Sequence, residues 1–525
     1  MTSAPSSHAF QSGIDLLSQV VTQSGLPIKR GIEKEGLRTS PQFDIAQSDH
    51  PRALGHPLTH AQITTDYSEA LLELITPVSD SRENLLTQLA QVHRYVQQHL
   101  PDELLWAGSM PCRLAGDKSI RIAEYGNSNI GRLKHVYRQG LGVRYGRIMQ
   151  SIAGLHFNFS LDDAFWLSRQ QALGDTQSLQ DFKSDQYFAL IRNFRRHSWL
   201  LMYLFGASPA LDSSFLNGHT HDLEPFDDKG TFFKPYATSL RMGDLGYHNN
   251  AQSSLNICFN TLSNFTHTLS EAIHTSYAPY EKIGIQRDGE FIQLNTNILQ
   301  IENEYYSSIR PKRTTRSGER PTQALRERGV EYVEVRCLDL NPFLPLGISD
   351  KQVDFLDLFL LHCLLQESPV ISDDSCRMIE RNFSDTVNIG RQPGLTLQRG
   401  EQSITLQDWG LELMESMAPL ATTLDKATQD NRYHAALAEQ GAKLRQSDLT
   451  PSAEILHVMR EENLSWLEFA GELSRKHQQQ LHTWGTSDAS ESLSQEAEAS
   501  FTAAAAIESA DTQDFAAFMA AYQQV

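Results

Sequence analysis

The chain has 525 residues, of which 40% are hydrophobic and 21% charged, so it is long enough for one large domain or several smaller ones and can build a core. Its 64 acidic and 45 basic residues give a formal net charge of −19, which disfavours nonspecific binding to nucleic acid or to an anionic membrane because the long-range field repels phosphate. The longest apolar stretch, residues 355–365, is shorter than the about 20 residues that a membrane-spanning helix needs.

The N-terminal residues have neither a basic start nor an apolar centre, so no signal peptide is predicted. The five cysteines are widely spaced and include no C-x-x-C pair: Cys112, Cys258, Cys337, Cys363 and Cys376. This pattern predicts a reducing, cytoplasmic compartment and argues against a disulfide framework or a zinc knuckle.

Alternation of apolar and polar residues predicts strands at four places, residues 32–35, 155–159, 291–294 and 331–338. Helical spacing over residues 85–100 predicts a helix that begins at a capping box formed by Asp80 and Glu83. Further helices are expected within residues 188–204, 353–365, 409–439 and 453–479. The predicted fold class is therefore α+β, with a mixed or antiparallel sheet, surrounding helices and a helical C-terminal part.

Two glutamates, Glu33 and Glu35, are two residues apart on the first predicted strand, so both side chains leave the same face. Their Cα atoms would be roughly 6–7 Å apart, a separation that suits two metal ions better than one ion held by both groups alone. The alternative is a solvated edge strand with surface charges, because most glutamates are exposed.

Further acidic and basic groups occur in apolar settings. Asp66 and Glu73 lie in a largely apolar segment, and a buried carboxylate there needs a partner or a metal. Glu334 and Arg336 share one face of another predicted strand. The pair is either a surface charge pattern or a metal ligand beside a phosphate-binding guanidinium. His156 lies in a predicted strand, where it either has a structural role or binds a metal. Together these residues predict an acidic site for a hard cation, Mg²⁺ or Mn²⁺.

The sequence has no Walker-type phosphate loop and no G-x-G-x-x-G motif after a strand, so a nucleotide would be held mainly by metals and arginines. Four cations occur within seven residues: Arg310, Lys312, Arg313 and Arg316. They predict either a polyphosphate contact or a solvated loop.

The chain resembles the proteobacterial type of glutamate–cysteine ligase, also called γ-glutamylcysteine synthetase. The resemblance covers roughly residues 25–400 and rests on nine ordered blocks: GIEKEGLR, ALGHPLTHAQITTDYSEALLELITP, SMPC, YGNSNIGRLKHVYRQGL, GLHFNFS, YLFGASPA, PYATSLRMGDLGY, LQIENEYYSSIRPKR and GVEYVEVRCLDLNPF.

The resemblance implies a fold like the glutamine synthetase catalytic domain, with metals and substrates on the concave face of a curved, mainly antiparallel sheet. It implies ATP-dependent joining of the γ-carboxyl of glutamate to the amine of cysteine through γ-glutamyl phosphate, the first step of glutathione synthesis. It also suggests feedback inhibition by glutathione and a monomer. The predicted organisation is a catalytic region at 1–400, a helical part at 401–485 packed on it, and a tail at 486–525 that is either a peripheral helix or poorly ordered.

The resemblance also assigns roles. The metal ligands would be Glu33, Glu35, Asp66, Glu73, His156 and Glu334. Arg336 would stabilise the transferred phosphoryl group, and Arg241 would contact a glutamate carboxylate. The predicted cysteine wall, which would line the site of the second substrate, consists of Tyr67, Tyr137, Leu141, Gln150, Tyr247 and Tyr306.

Two positions depart from the family pattern. The family often has Phe where Tyr67 stands, and the extra hydroxyl makes the thiol pocket less apolar. Lys34 stands where Arg is expected, but it points to the opposite face of its strand from the two glutamates, so we expect this change to matter less.

Two alternatives remain at this point. The chain could join glutamate to a different amine on the same scaffold, or it could be a metal-dependent binding protein that has lost turnover. The presence of all six predicted ligands and of Arg336 argues against the second.

Overall fold

The main sheet is built around one long strand, Ile28–Thr39 (β1), which pairs with antiparallel neighbours on both sides. The structure, a computed structural model, describes residues 8–100, 102–245, 255, 257–316, 318–483 and 489–523. The strands after β1 are, in chain order, Ile63–Thr65 (β2), Leu71–Ile75 (β3), Leu104–Leu105 (β4), Leu155–Leu161 (β5), Ala210–Asp212 (β6), Glu224–Pro225 (β7), Thr231–Phe233 (β8), Gln286–Arg287 (β9), Glu290–Phe291 (β10), Ile309–Lys312 (β11), Tyr332–Leu338 (β12), Thr396–Arg399 (β13) and Gln402–Thr405 (β14).

Six strands of the main sheet lie side by side in the order β11, β12, β5, β1, β3, β2, and β4 pairs with the far end of β1. Their pairings are all antiparallel, which confirms the predicted antiparallel sheet. Three of the four predicted strands lie in this sheet, as β1, β5 and β12.

The predicted strand at residues 291–294 is wrong beyond Phe291, which ends the short strand β10. Side chains take over the backbone hydrogen bonds there: the Leu294 N–H donates to the Gln300 Oε1, and the Asn297 N–H donates to the Asn295 Oδ1. Polar side chains that bond nearby backbone groups in this way compete with strand pairing.

The α-helices, in chain order, are His8–Ser24 (α1), Arg82–Gln98 (α2), Asn129–Tyr145 (α3), Asp163–Leu173 (α4), Leu179–Phe205 (α5), Leu262–His274 (α6), Ala278–Ile283 (α7), Pro321–Arg328 (α8), Asp350–Leu365 (α9), Asp373–Ile389 (α10), Leu406–Thr428 (α11), Arg432–Arg445 (α12), Pro451–Glu461 (α13), Trp466–Thr483 (α14), Ser490–Ser509 (α15) and Phe515–Gln523 (α16). None of the helices in these described ranges is long and apolar enough to cross a membrane.

The N-cap of helix α2 lies one residue later than predicted. Ser81, rather than Asp80, is the N-cap, and its hydroxyl accepts a hydrogen bond from the Asn84 N–H. Serine caps as well as aspartate does, so the sequence contained two equivalent candidates at adjacent positions.

Helices α2 and α5 cover one face of the main sheet, under β1 and under β11 and β12 respectively. One hydrophobic core continues from Phe10 in α1 to Leu481 in α14. A buried ion pair also links the sheet to α9, because the Arg30 Nη2 lies 2.6 Å from the Asp357 Oδ2 with both side chains fully buried. The helices therefore leave the opposite, polar face of the sheet as the place where a site can form.

The tail forms two helices on the outside of this body. Helix α15 contacts α2 and residues 52–54, and α16 contacts α3. The division of the chain at residues 400 and 485 stays a prediction.

Candidate active site

Strand register brings three glutamates and a histidine onto the polar face of the main sheet. Glu33 of β1 is paired with His156 of β5, and Glu35 of β1 is paired with Glu73 of β3. Residues opposite each other in an antiparallel pair have side chains on the same side of the sheet. The ligand atoms of Glu33, Glu73 and His156 all lie within 4.8 Å of one another. A cation with metal–oxygen distances of about 2.0–2.5 Å can bridge this spacing.

His156 is the centre of this group and is 3% exposed. Its Nδ1 lies 3.5 Å from the Glu33 Oε2 and 3.7 Å from the Glu334 Oε1, and its Nε2 lies 3.6 Å from the Glu35 Oε1. Glu334 reaches the group from β12, where it is paired with Asn158 of β5. The imidazole is thus surrounded by carboxylates from two other strands.

Asp66 completes the acidic groups from the turn between β2 and β3. It is half-buried, and it lies close enough to Glu35 and Glu73 for its charge to raise their pKa values. We call the surface formed by these six residues the acidic face: Glu33, Glu35, Asp66, Glu73, His156 and Glu334.

The pKa values on the acidic face diverge. Burial raises the pKa of Glu73 well above its usual range, and the charges of Glu33 and Asp66 raise it further. Burial also raises the pKa of Glu35. Burial acts in the same direction on Glu334, but Arg336 and Lys312 outweigh it and hold the Glu334 pKa well below its usual range. The β3 side of the face is therefore short of positive charge, which a divalent cation would supply.

Cationic side chains border the acidic face on its β11–β12 side. The Arg336 Nη1 donates a 3.1 Å hydrogen bond to the Glu334 Oε1, and the Lys312 Nζ lies 3.4 Å from the same carboxylate. Arg310 is paired with Glu334 across β11 and β12, and burial lowers its pKa to about 10. A polyanion placed between this side and the acidic face would meet guanidinium groups on one side and carboxylates that could hold a cation on the other.

The four predicted phosphate-contacting cations separate into two pairs. Arg310 and Lys312 lie beside Glu334, as described above. The Arg313 Nε instead lies 3.7 Å from the Glu331 Oε2, and Arg316 is exposed, with its backbone N–H donating to Glu319. The structure thus brings only the first two to the acidic face.

The side chain of Arg241, which lies in a short turn of helix at residues 240–242, is fully buried beside the C-terminal end of β12. Its Nη2 donates to the Arg336 carbonyl at 3.1 Å and its Nη1 lies 3.5 Å from the Asp339 Oδ1. Its charge also acts on Glu35, so it adjoins the acidic face. A Cβ atom on Gly154 would lie 1.9 Å from the Arg241 Nη2, so this guanidinium can occupy its position only because residue 154 is glycine.

The predicted cysteine wall is drawn from several elements. Tyr137 and Leu141 lie on α3, Gln150 lies in the turn before β5, and Tyr67 follows Asp66 in the β2–β3 turn. Tyr306 donates a 3.1 Å hydrogen bond to the Met242 Sδ, next to Arg241. Tyr247 falls outside the described residues.

Tyr67 and α3 pass very close to each other. A Cβ atom on Gly142 would lie 2.6 Å from the Tyr67 Oη, so the glycine makes this approach possible. The tyrosine is 1% exposed, and its hydroxyl has no hydrogen-bond partner among the described residues.

Sequence reasoning missed three contributors to this site. The Asn158 Nδ2 donates a 2.8 Å hydrogen bond to the Glu33 Oε1, and the Gly154 N–H donates to the Glu35 Oε2. Arg138 of α3 donates to the Asp66 carbonyl and so links the helix to the acidic face. Asn158 lies two residues after His156 on the same strand, so strand alternation was a signal that could have found it. Gly154 and Arg138 carried no comparable signal.

A buried cluster of carboxylates with arginine and lysine along one border is typical of enzymes that bind a nucleotide polyphosphate through divalent cations. The family model described as glutamate-cysteine ligase matches residues 15–386. The chain is 57% identical over 459 residues to the glutamate–cysteine ligase of Hahella chejuensis, covering 86% of this chain and 87% of that one. It is 52% identical over 522 residues to that of Azotobacter vinelandii, covering 98% of both. This chain belongs to the glutamate–cysteine ligase family.

One solved structure agrees with this assignment, and a second shares the fold. A crystal structure of glutamate–cysteine ligase from Francisella tularensis in complex with AMP superposes with a TM-score of 0.89 and 36% identity, covering 95% of this chain and 98% of that one. A bifunctional glutathione synthetase from Pasteurella multocida has a TM-score of 0.71 at 24% identity over 90% of this chain and 55% of that one, a likeness of fold alone.

Proposed function

We propose that this chain joins the γ-carboxyl group of glutamate to the amine of cysteine at the expense of ATP, the first step of glutathione synthesis. The observation that carries the proposal is the convergence of Glu33, Glu73 and His156 within 4.8 Å beside Arg336 and Lys312. A carboxylate is a poor acyl donor, so the reaction needs ATP to activate it. The γ-phosphoryl group passes to the glutamate γ-carboxylate, and the cysteine amine then attacks the acyl phosphate and releases phosphate.

The acidic face fits a divalent cation of the Mg²⁺ or Mn²⁺ type. Most of its ligands are carboxylate oxygens, which hard cations prefer, and its one imidazole suits Mn²⁺ better than Mg²⁺. The raised pKa values of Glu35 and Glu73 show that ionising these buried carboxyl groups is unfavourable. A bound cation would supply the positive charge that stabilises their ionised forms. When bound, such a cation neutralises the phosphate oxygens of ATP and orients them.

Charge arithmetic supports a site for several cations. Five carboxylates carry −5 and ATP carries about −4, whereas three divalent cations with Arg241 and Arg336 carry +8, which nearly balances the total. Lys312, 3.4 Å from Glu334, supplies one further positive charge. Arg310, paired with Glu334, adds another, so the positive charges total about +10 against about −9 and the site stays close to neutral.

The protein's own side chains would divide the remaining work. Arg336 meets the charge that spreads over the oxygens of the transferred phosphoryl group, with Lys312 and Arg310 beside it. Arg241 would bind a carboxylate of glutamate through its guanidinium. The predicted cysteine wall would place the second substrate against α3, and Arg138 would fix that helix relative to Asp66.

Several finer properties belong to the same proposal. We infer that glutathione inhibits the enzyme by feedback, that the enzyme is a cytoplasmic monomer, and that nucleic acids and membranes are not among its partners. The net charge of −19 supports the last inference, because it repels phosphate at long range.

The decisive experiment is product identification after incubation with ATP, Mg²⁺, glutamate and a panel of amines. We expect ADP, phosphate and γ-glutamylcysteine, with cysteine preferred over other amino acids. A stronger preference for another amine would reassign the second substrate, and no ADP release with any amine would overturn ligase activity in this chain.

The metal site is tested separately with Glu33→Gln. This variant should raise the Mg²⁺ concentration that gives half-maximal activity. Glu331→Gln is the matched control, since Glu331 pairs with Arg313 outside the acidic face. Equal metal titrations for the two variants would exclude Glu33 as a ligand.

A further inference from the structure

The C-terminal helix α16 packs against α3, the helix that carries two residues of the predicted cysteine wall. Helices α16 and α3 are in direct contact. Phe515 and Met519 of α16 are 4% and 2% exposed. They form a small hydrophobic core with Leu133 and Val136 of α3, apart from the main core of the protein.

Polar contacts fix the start of α3 to the segment before α16. The Asn129 N–H, in the first turn of α3, donates a 2.7 Å hydrogen bond to the Asp511 Oδ2. The Asn129 side-chain amide donates to the Gln513 carbonyl at 2.9 Å. A carboxylate at this position also interacts favourably with the positive end of the helix dipole.

Cations stack on the aromatic rings of α16. The Arg132 guanidinium carbon lies 4.2 Å from the centre of the Phe515 ring, and Arg320 lies 4.9 Å from that of Tyr522. Arg320 also donates a 3.1 Å hydrogen bond to the Tyr522 carbonyl. The segment is thus attached at its beginning, its middle and its end.

The contact continues from α16 to the predicted cysteine wall. Tyr137 follows Val136 directly and packs against the same small core, while Leu141 lies one helical turn further on. The buried Gln300 donates to the Tyr137 carbonyl and accepts a hydrogen bond from the N–H of Leu294, a residue of that core. Displacement of α16 would therefore move the outer face of α3 and, with it, two side chains of the wall.

We propose that residues 511–523 are a positioning element for the second substrate: they hold α3 in the place at which Tyr137 and Leu141 form the cysteine pocket. This inference rests on the proposed function, because it needs the second substrate to bind beside α3. No residue of the segment contacts the acidic face directly, and α3 itself touches that face through the Arg138 hydrogen bond to the Asp66 backbone carbonyl, so glutamate and metal binding should change much less than cysteine binding.

The test compares two phenylalanines of the tail in the full-length chain. Phe515→Ala removes the ring that contacts Arg132 and α3. Phe501→Ala is the matched control: Arg52 also lies 4.2 Å from its ring centre, but Phe501 is on α15 and packs near His56 instead of α3.

We expect Phe515→Ala to raise the KM for cysteine about 10-fold to 100-fold, the effect of a displacement of about 1 Å in a binding element. The KM for glutamate and the Mg²⁺ dependence should stay within about two-fold of wild type, as should all three for Phe501→Ala. Equal changes in both KM values, or an unchanged KM for cysteine, would overturn the proposal.

Asp511→Ala and Asp511→Asn give an independent measurement that does not remove apolar packing. Asp511→Ala should raise the KM for cysteine, and Asp511→Asn should largely restore it, because the amide oxygen still accepts from the Asn129 N–H. An unchanged KM for cysteine in Asp511→Ala contradicts the proposal even where Phe515→Ala does not fold. Wild-type enzyme that forms no γ-glutamylcysteine contradicts the proposed function instead, so the two failures are distinguishable.

Discussion

Glu35 and Glu73 stand directly opposite each other on two antiparallel strands, β1 and β3. Side chains in such pairs are about 4.5–5.5 Å apart at their Cβ atoms, and like charges there are destabilising. Burial raises the pKa of both carboxyl groups. The sheet thus holds two carboxyl groups in an arrangement that favours bound protons or bound cations.

Glu73→Gln should raise the Tm of the enzyme in EDTA. It should also reduce the further rise in Tm that Mg²⁺ causes. The raised Glu73 pKa means that the folded state keeps its proton to higher pH than the unfolded chain. The contribution of Glu73 to stability therefore falls as pH rises above about 4.5, the usual value, and is most unfavourable above the raised pKa. At pH 8 in EDTA we expect a Tm about 1–3 °C above wild type in thermal unfolding. A lower Tm in EDTA, or an undiminished shift with Mg²⁺, would contradict this.

Arg336→Ala should lower kcat by about 10²–10⁴-fold with little change in Tm, because in the proposed function its guanidinium acts on charge that develops during phosphoryl transfer. Steady-state kinetics measure the first quantity and thermal unfolding the second. Arg313→Ala is the control, since Arg313 is paired with Glu331 away from the acidic face. Near-wild-type kcat for Arg336→Ala would exclude the assigned role.

Strand alternation predicted correctly that Glu33 and Glu35 lie on one side of β1 and that Glu334 and Arg336 lie on one side of β12. It could not predict which strands are neighbours. The pairing of β1 with both β3 and β5 joins segments about 40 and 125 residues away, as the register Glu35–Glu73 and Glu33–His156 shows. Such distant pairing depends on the packing of the whole chain, so strand alternation predicted an acidic site without fixing which of its residues lie opposite each other.

Tyr67→Phe should raise stability without raising the KM for cysteine. A buried hydroxyl without a hydrogen-bond partner costs about 1–3 kcal/mol, and Tyr67 is 1% exposed with no partner for its Oη among the described residues. Denaturant unfolding and cysteine titration measure the two effects. A several-fold rise in the KM for cysteine would instead indicate that the hydroxyl binds the substrate.

Lys34→Met should raise Tm near pH 7 and leave kcat and the Mg²⁺ dependence unchanged. Lys34 is 5% exposed on the helix-covered face, with its Nζ 2.9 Å from the His93 Nε2, and burial lowers its pKa to about 7. Between that pKa and its usual 10.5 the unfolded chain binds more protons, so the wild-type protein gains stability as pH rises through this interval.

The advantage of Lys34→Met should therefore be greatest at or below pH 7 and shrink towards pH 10 in thermal unfolding. A gain of about 1–3 °C is expected for a chain of this length. A pH-independent loss of stability would indicate that the hydrogen bond to His93 outweighs the burial of the amine. A change in metal dependence would indicate coupling through the strand.

The tail illustrates a different limit of sequence-based reasoning. Its composition permitted either a helix or disorder, and the structure has two helices there. The apolar residues that bury α16, Phe515 and Met519, find their partners on α3, more than 370 residues earlier. Composition reports that a helix is possible, but only the partner surface makes it stable.

The place of the Arg241 guanidinium depends on Gly154, a residue that has no side chain of its own. A single-nucleotide change in a glycine codon can introduce alanine, and a methyl group there would occupy the space of the Arg241 guanidinium. If Arg241 binds glutamate as proposed, activity can thus be lost at a codon that a survey of catalytic side chains would pass over. A Gly154→Ala enzyme with wild-type glutamate affinity would refute this.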